Sequence, residues 1–387
     1  MADARPYDLV LLGATGFTGR LTAAHLAGRS GELRWAIAGR DADRLAALAA
    51  GLGDTAGARP PDIEVVDVTD RASLDELAGR TRVLATTVGP YARLGEPVVQ
   101  ACLRQGTHYA DITGEPAFVS RVRDRYDAEA TDAGVKVVNC CGFDSVPHDL
   151  GVRFTVDHLP DDAPLTVRGY VTANGRLSGG TLHTALEAVA SRSIPRPDRD
   201  RTPDPRAQRR VALLPPRLHR IGELGGWGVP MPTIDPVIVL RSARVLDGYG
   251  SAFRYGHYLR VRRLPTVVAG AGALGVAGAM ASVGPTRSLL KRVLPEPGEG
   301  PDEATRARSS FSVTFLARGG DTTVTTRVSG GEPAYDGTAM MLGEAALSLA
   351  VDDGPATAGV LTPAVGLGAP YLARLRDQGL RFEVVTN

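Results

Sequence analysis

The run Val10-Leu11-Leu12-Gly13-Ala14-Thr15-Gly16-Phe17-Thr18-Gly19 limits what this chain can fold into more than any other segment. An apolar stretch ends in a glycine-rich turn, and a segment rich in alanine and leucine follows from Arg20 to Leu26. Glycine lets the backbone come close to a phosphate ester. The start of a helix adds unpaired N–H donors and the positive end of a dipole. The turn therefore predicts a dinucleotide site, with Gly13, Thr15, Gly16, Phe17, Thr18 and Gly19 as cofactor contacts. Its spacing is G-x-x-G-x-x-G, not the tighter G-x-G-x-x-G of the standard fingerprint, and glycine-rich turns also end ordinary strands.

The second apolar stretch, 34–38, ends in Gly39-Arg40-Asp41. An acidic residue at that strand end suits the ribose 2′-hydroxyl of NAD, whereas an Arg suits the 2′-phosphate of NADP. Asp41 is placed to cap a helix over 42–50. Arg40 is then the recognition residue and NADPH the expected cofactor; the alternative is a solvated loop Arg.

Short apolar runs at 8–12, 34–38, 63–66, 82–87, 108–111 and 136–139 alternate with helical patterns near 19–28, 41–51, 71–78, 95–105 and 117–133. Such alternation predicts an α/β fold, a Rossmann-type parallel sheet with helices on both faces and ligands beyond the carboxyl ends of its strands. The pattern changes after residue 150. A half-buried strand is expected over 165–173, a helix over 181–191 and a loop over 192–210. Further strands are expected at 237–241, 253–261, 310–317 and 322–329, the last two joined by the hairpin signal Arg318-Gly319-Gly320-Asp321. The helix 335–350 closes this part. The expected division is a nucleotide-binding domain over 1–150, a second α+β domain over 151–350, and a return of 351–387 to the first.

With 387 residues the chain has room for two domains. A formal net charge of +1 gives bulk electrostatics no pull toward nucleic acid or a membrane surface. The Arg-rich loop 192–210 is interrupted by Asp198, Asp200 and Asp204, so no nucleic-acid partner is expected. Cys102, Cys140 and Cys141 have no metal-ligand spacing, and adjacent cysteines rarely pair; a reducing cytosol and no metal are expected. No apolar signal region precedes the first strand, which agrees with a cytoplasmic chain. One stretch, 266–285, is free of charge and dominated by glycine and alanine. Its length approaches the ~20 residues of a membrane span, but it is poor in Leu, Ile and Phe. A buried helix is the plain reading; a lid facing lipid or an apolar substrate is the sharper one, with peripheral membrane association as its consequence.

Three consecutive strand ends bring polar groups to one sheet edge: Thr87-Val88-Gly89-Pro90-Tyr91, His108 to Glu115, and Asn139 to Asp149. Val88, Gly89 and Pro90 are expected beside the nicotinamide ribose, Gly89 allowing close approach and Pro90 fixing the turn. Hydride transfer needs a proton donor near the acceptor carbon. Tyr91, Asp144 and His148 are the catalytic candidates, with His108 and Asp111 behind them. Each has a plainer alternative: ring packing for Tyr91, a helix cap for Asp144, a turn position for His148. Cys140 and Cys141 read as packing residues.

Together, the Gly13–Gly19 turn, Ala38-Gly39-Arg40, the run from Val88 to Val99, His108-Tyr109-Ala110-Asp111-Ile112-Thr113-Gly114-Glu115 and Cys141-Gly142-Phe143-Asp144-Ser145-Val146-Pro147 resemble the saccharopine dehydrogenase-like oxidoreductases. Within these the chain is most similar to the trans-acting enoyl reductases of actinobacterial lipid and polyketide assembly. The likeness extends to Ser178-Gly179-Gly180-Thr181, Tyr255-Gly256-His257-Tyr258 and Gly359-Val360-Leu361-Thr362-Pro363. The resemblance implies an NADP-binding Rossmann domain, a second domain over the nicotinamide, and reduction of a carbon–carbon double bond in an apolar or acyl substrate; a homodimer is compatible with it. The saccharopine-type members act instead on an amino-acid imine, for whose carboxylates Arg168, Arg176, Arg241 and Arg244 are candidates. A non-catalytic NADP(H)-binding regulator is a third alternative.

Overall fold

The computed structural model describes residues 5–53, 59–174, 207–265 and 300–385. The chain forms two compact units, Met1–Val146 with Tyr335–Gly379, and Pro147–Ala334 with Leu380–Asn387. In chain order the first unit begins with β1 (Tyr7–Leu12), α1 (Phe17–Ala27), β2 (Trp35–Gly39), α2 (Ala42–Leu52), β3 (Asp62–Val65), α3 (Arg71–Gly79), β4 (Thr81–Thr86), α4 (Tyr91–Gln105), β5 (His108–Asp111), α5 (Pro116–Asp132) and β6 (Lys136–Val138). Then come α6 (Val146–Val156), β7 (Leu165–Ala173), β8 (Arg210–Leu213), β9 (His219–Arg220), β10 (Trp227–Pro230), α7 (Asp235–Val245), β11 (Ala252–Val261), α8 (Glu303–Ala307), β12 (Phe311–Gly319) and β13 (Thr322–Gly330). The chain closes with α9 (Thr338–Val351), β14 (Gly359–Leu361), α10 (Pro363–Gly366), α11 (Gly368–Asp377) and β15 (Arg381–Val384).

Among the described residues the first unit holds a seven-stranded sheet in the order β14-β6-β5-β4-β1-β2-β3, with every neighbouring pair parallel. Its central strands are covered on both faces, so they read as continuous apolar runs; Leu9, Val10, Leu11 and Leu12 of β1 are wholly buried. The strand order reverses between β1 and β4. That is the switch point where doubly wound sheets leave a crevice at their carboxyl edge. Asp41 caps α2 by accepting from the Arg44 N–H at 3.0 Å, as its position after β2 predicts.

The helix expected to close the second domain belongs to the first unit. Almost every side chain of α9 is buried, including the carboxylate of Glu344. Glu344 pairs with His25 of α1 at 2.9 Å, with Arg29 just after that helix at 3.1 Å, and with Arg374 of α11 at 3.2 Å. Arg374 also grips Asp352 through two bonds of 2.7 Å. Gly343 lets α1 approach, because a Cβ there would meet the His25 ring at 2.6 Å. The return to the first unit thus starts at Tyr335, not 351, and stops at Gly379; β15 leaves to pair with β13.

The second sheet runs β15-β13-β12-β7-β11-β10-β9, with β8 also on β11. Its pairings are mostly antiparallel, and the parallel pairing of β11 with both β7 and β8 makes the sheet mixed. The β12–β13 hairpin forms as expected, with Gly319 opposite Thr322 and Gly320 at φ +56. The strand expected at 237–241 is instead the middle of α7. A short run such as Val237 to Leu240, buried nearly all round, has no period to distinguish strand from helix, and Pro236 starts the helix. The expected helix over 181–191, positions 192–206 of the loop expected over 192–210 and the stretch 266–285 lie outside the described residues, and the end of that loop passes into β8 at Arg210. Among the described residues no helix is long and apolar enough to cross a membrane.

Burial opposes ionisation of Glu344, but the hydrogen bond and charge of His25, joined by Arg29 and Arg374, outweigh it and hold the carboxyl below its ordinary value. A depressed folded-state carboxyl stabilises the fold above the unfolded-state pKa, and that contribution is lost as pH falls through the folded value. Glu344→Gln is expected to cost about 2 kcal/mol at neutral pH, less than a fully enclosed pair because Arg29 and Arg374 can turn to water. Urea unfolding across pH reads this: the gap to the parent should close below about pH 4, and a gap independent of pH would contradict the assignment.

Candidate active site

The turn between β1 and α1 is built from close approaches. Gly13 sits at φ +87, and a Cβ on it would lie 2.7 Å from Val88 Cγ2 and 2.8 Å from Thr87 Oγ1. Thr87 Oγ1 donates to the Gly13 carbonyl at 3.0 Å, and the Gly13 N–H donates to Ala38 at 2.8 Å. The turn is therefore tied to the carboxyl ends of both β4 and β2. A Cβ on Gly19 would lie 2.1 Å from the Gly13 oxygen, so only glycine lets α1 start this near the strand. Gly16 caps α1 without a side chain, is exposed, and is followed by no acidic residue in the first turn. The first N–H groups of the helix and its positive end are left for an anion. Thr15, Phe17 and Thr18 line the turn half-buried, with the Phe17 ring edge-on to Tyr335 at 4.9 Å.

Arg40 follows β2 and is exposed. No described residue forms a hydrogen bond or ion pair with its guanidinium. Its charge is a minor contribution, behind the Thr69 N–H and hydroxyl, to the lowered pKa of Asp67. At the end of β4, Val88 is half-buried while Gly89 and Pro90 are exposed. The Gly89–Pro90 peptide is cis. A Cβ on Gly89 would only touch the Tyr91 ring at 3.7 Å, an ordinary contact, so nothing inside the chain demands glycine there.

Tyr91, expected as a proton donor, is a core residue. Its hydroxyl donates to the Thr86 carbonyl at 3.0 Å, and its ring packs 5.8 Å from Phe118. Burial, then the charge of Asp111, raises its pKa well above the ordinary value. Its backbone N–H and that of Ala92 both donate to the Glu115 carboxylate at 2.8 Å, which caps α4. Asp111 is also structural. It accepts from Tyr109, Asn139, Cys140 N and Thr113 N at 2.7–3.1 Å and joins the ends of β5 and β6. Burial pushes its carboxyl up to about 6 against those four bonds. Cys140 beside it is held at φ +65. Burial raises the Cys141 thiol well above its ordinary value, so neither it nor the core residue Cys102 is poised as a nucleophile. His108 lies at the amino end of β5 and accepts from Lys136 N at 3.1 Å, on the sheet edge opposite the glycine turn.

Asp144 stands at the carboxyl edge, half-buried, in the loop after β6. Its Oδ2 is 2.9 Å from where a Cβ on Gly114 would be, so Gly114 makes room for the carboxylate. The turn, Arg40, Val88–Pro90 and Asp144 thus share one edge of the first sheet. His148 belongs to the second unit, where it is 2 % exposed and paired with Asp235 at 2.8 Å. It is sealed rather than presented. Sequence reasoning missed Asp235, Glu115 and Glu344, whose partners are far away along the chain. Of the Arg candidates, Arg168 is exposed beside a cavity of about 440 Å³ shared with Tyr170, Arg217, His219 and Tyr258. Arg241 is buried in α7 and Arg244 half-buried there; Arg176 lies outside the described residues.

The family model described as saccharopine dehydrogenase NADP binding domain matches residues 9–138. A Mycobacterium tuberculosis protein provisionally named trans-acting enoyl reductase is 38% identical over 420 positions, covering 99% of this chain and 98% of its own. The trans-acting enoyl reductase of Mycobacterium ulcerans is 36% identical, covering 97% of each chain. Among solved structures, the apo saccharopine dehydrogenase (L-Glu forming) of Saccharomyces cerevisiae matches 98% of this chain and 99% of its own with a TM-score of 0.56. At 16% identity that likeness speaks to the fold alone.

Tyr91→Phe leaves one buried carbonyl without a donor and is expected to lower stability by about 1–2 kcal/mol while NADPH affinity and turnover stay within about twofold. Thermal unfolding beside steady-state kinetics reads both, and a large loss of turnover at unchanged stability would return Tyr91 to a chemical role.

Proposed function

Because the chain belongs to the trans-acting enoyl reductase family of saccharopine dehydrogenase-like, NADP-binding oxidoreductases, we propose that it reduces an activated carbon–carbon double bond of an apolar, lipid- or polyketide-like substrate with NADPH. Its support is the full-length similarity to proteins of that name, together with a carboxyl edge whose close approaches suit a dinucleotide. Gly13, Gly16 and Gly19 keep side chains away from the diphosphate, with Thr15, Phe17 and Thr18 around it. Arg40 pairs with the 2′-phosphate. Val88, Gly89 and Pro90 lie beside the nicotinamide ribose.

When bound, NADPH supplies a hydride to the β-carbon of the alkene. The chain's part is to position that carbon and to deliver a proton to the α-carbon. Asp144 is the sequence candidate at that edge whose carboxylate is neither sealed in the core nor placed in the other unit. It holds the proton or the water that carries it. Tyr91 secures the end of β4 through the Thr86 carbonyl.

A second reading is favoured by one observation. The cavity beside Arg168 and Arg217 also holds Arg220, so that three guanidinium groups face one carboxylate, Glu223, among aromatic and apolar side chains, which suits a substrate with a carboxylate, such as an amino-acid imine. Turnover with imines that depends on a free carboxylate, and none with enoyl thioesters or enones, would establish it. Equal affinity for NADP⁺ and NADPH without turnover of either substrate class would instead indicate a regulator.

Two variants test the assignments. Arg40→Ala removes a charge-assisted bond to phosphate and should weaken NADPH by about 10- to 100-fold with little change for NADH; nucleotide fluorescence titration reads this, and equal weakening of the two would reject the role. Asp144→Asn should lower kcat by about 10²-fold at unchanged NADPH affinity, and an unchanged kcat would remove Asp144 from the chemistry.

A further inference from the structure

The second unit contains a cluster that hydride transfer does not use. His148 on α6, Asp235 at the start of α7 and His257 on β11 meet in its interior, with side chains 2%, 3% and 1% exposed. Their ligand atoms all lie within 4.8 Å of one another. From this geometry we infer that His148, Asp235 and His257 bind one divalent transition-metal ion of the zinc class.

The distances fit such an ion. Bonds of about 2.0–2.1 Å in a tetrahedral site put ligand atoms roughly 3.3–3.4 Å apart. Here His148 Nε2 and Asp235 Oδ1 are 2.8 Å apart, and His257 Nε2 and Asp235 Oδ2 are 3.7 Å apart. The two distances, to different oxygens of one carboxylate, bracket that value. The two imidazoles meet edge to face with centroids 4.7 Å apart.

An ion pair between His148 and Asp235 explains only part of the cluster. It leaves His257 Nε2 buried with no hydrogen-bond partner among the described residues, aimed at a carboxylate oxygen beyond hydrogen-bond reach. The other ring nitrogen of His257 is already held by the Tyr255 hydroxyl at 3.2 Å. That hydroxyl is fixed in turn, since a Cβ on Gly169 would lie 2.7 Å from it. A histidine oriented through its remote nitrogen, with the near one left open, is how metal-binding imidazoles are usually prepared. Imidazole nitrogens and a carboxylate are donors that such an ion takes once they have given up their protons.

Two nitrogens and one oxygen suit Zn²⁺ and its neighbours; Mg²⁺ and Ca²⁺ ask for more oxygens. Three protein ligands leave a fourth position for water. The ion would pin α6 to α7 and β11. The sequence carries no hint of it, because the ligands come from three separate elements with no short spacing.

The test uses the full chain, stripped with a chelator and titrated with Co²⁺ and Zn²⁺. Expected are one ion per chain, an intense visible Co²⁺ spectrum of tetrahedral type that Zn²⁺ bleaches, and a higher Tm with Zn²⁺. His257→Phe, with folding checked by circular dichroism, should lose all three signals; His148→Gln carries the same test if His257→Phe does not fold. Less than about a tenth of an ion per chain in the folded parent, or binding undiminished in a folded variant, would overturn the site and leave a buried ion pair only. Neither outcome depends on turnover, so it stands or falls apart from the reductase assignment.

Discussion

The Cβ that Gly19 lacks would lie 2.1 Å from the carbonyl oxygen of Gly13 and 2.9 Å from Ala14 Cα. That contact sets where α1 begins and hence where its unpaired N–H groups stand. Gly13 is bound in turn to the neighbouring strands, through Ala38 on one side and Thr87 on the other. One turn therefore registers three strand ends at the switch point of the sheet. The far end of α1 is secured by the charges around Glu344, which reach it from α9 through His25 and Arg29. A residue more than three hundred positions away thus holds the helix that a phosphate would meet.

At the same edge, carboxylates that look chemical are mostly structural. Asp111 satisfies four donors and joins β5 to β6, and Glu115 replaces the missing side-chain cap of α4. Asp111 is expensive to bury, and its hydrogen bonds repay the burial, while half-buried Glu115 gives both oxygens to the start of α4. Asp144 is half-buried in a loop, with Gly114 making room for it. Position at the carboxyl edge alone does not separate these roles.

Local features were legible. Continuous apolar runs marked the covered strands, Asp41 marked a helix start, and Arg318-Gly319-Gly320-Asp321 marked a hairpin, each because neighbours along the chain carry the signal. The middle of α7 was misread because Val237 to Leu240 form an unbroken apolar run that holds no period. The return of α9 to the first unit was misplaced because its reason is the pairing of Glu344 with α1 and α11. Within the site, the glycine turn and Arg40 could be named from spacing. The burial of Tyr91 and the partners of His148 could not, since both depend on contacts between distant segments.

The central claim is that this chain moves a hydride from NADPH to an activated alkene. Turnover of an apolar 2-enoyl thioester with NADPH deuterated at the transferred position tests it most directly. The account predicts a saturated product with one deuterium on the β-carbon and a solvent proton on the α-carbon, located by mass spectrometry and NMR. A product without the label, or label transfer that occurs with imines and never with the alkene, would contradict it.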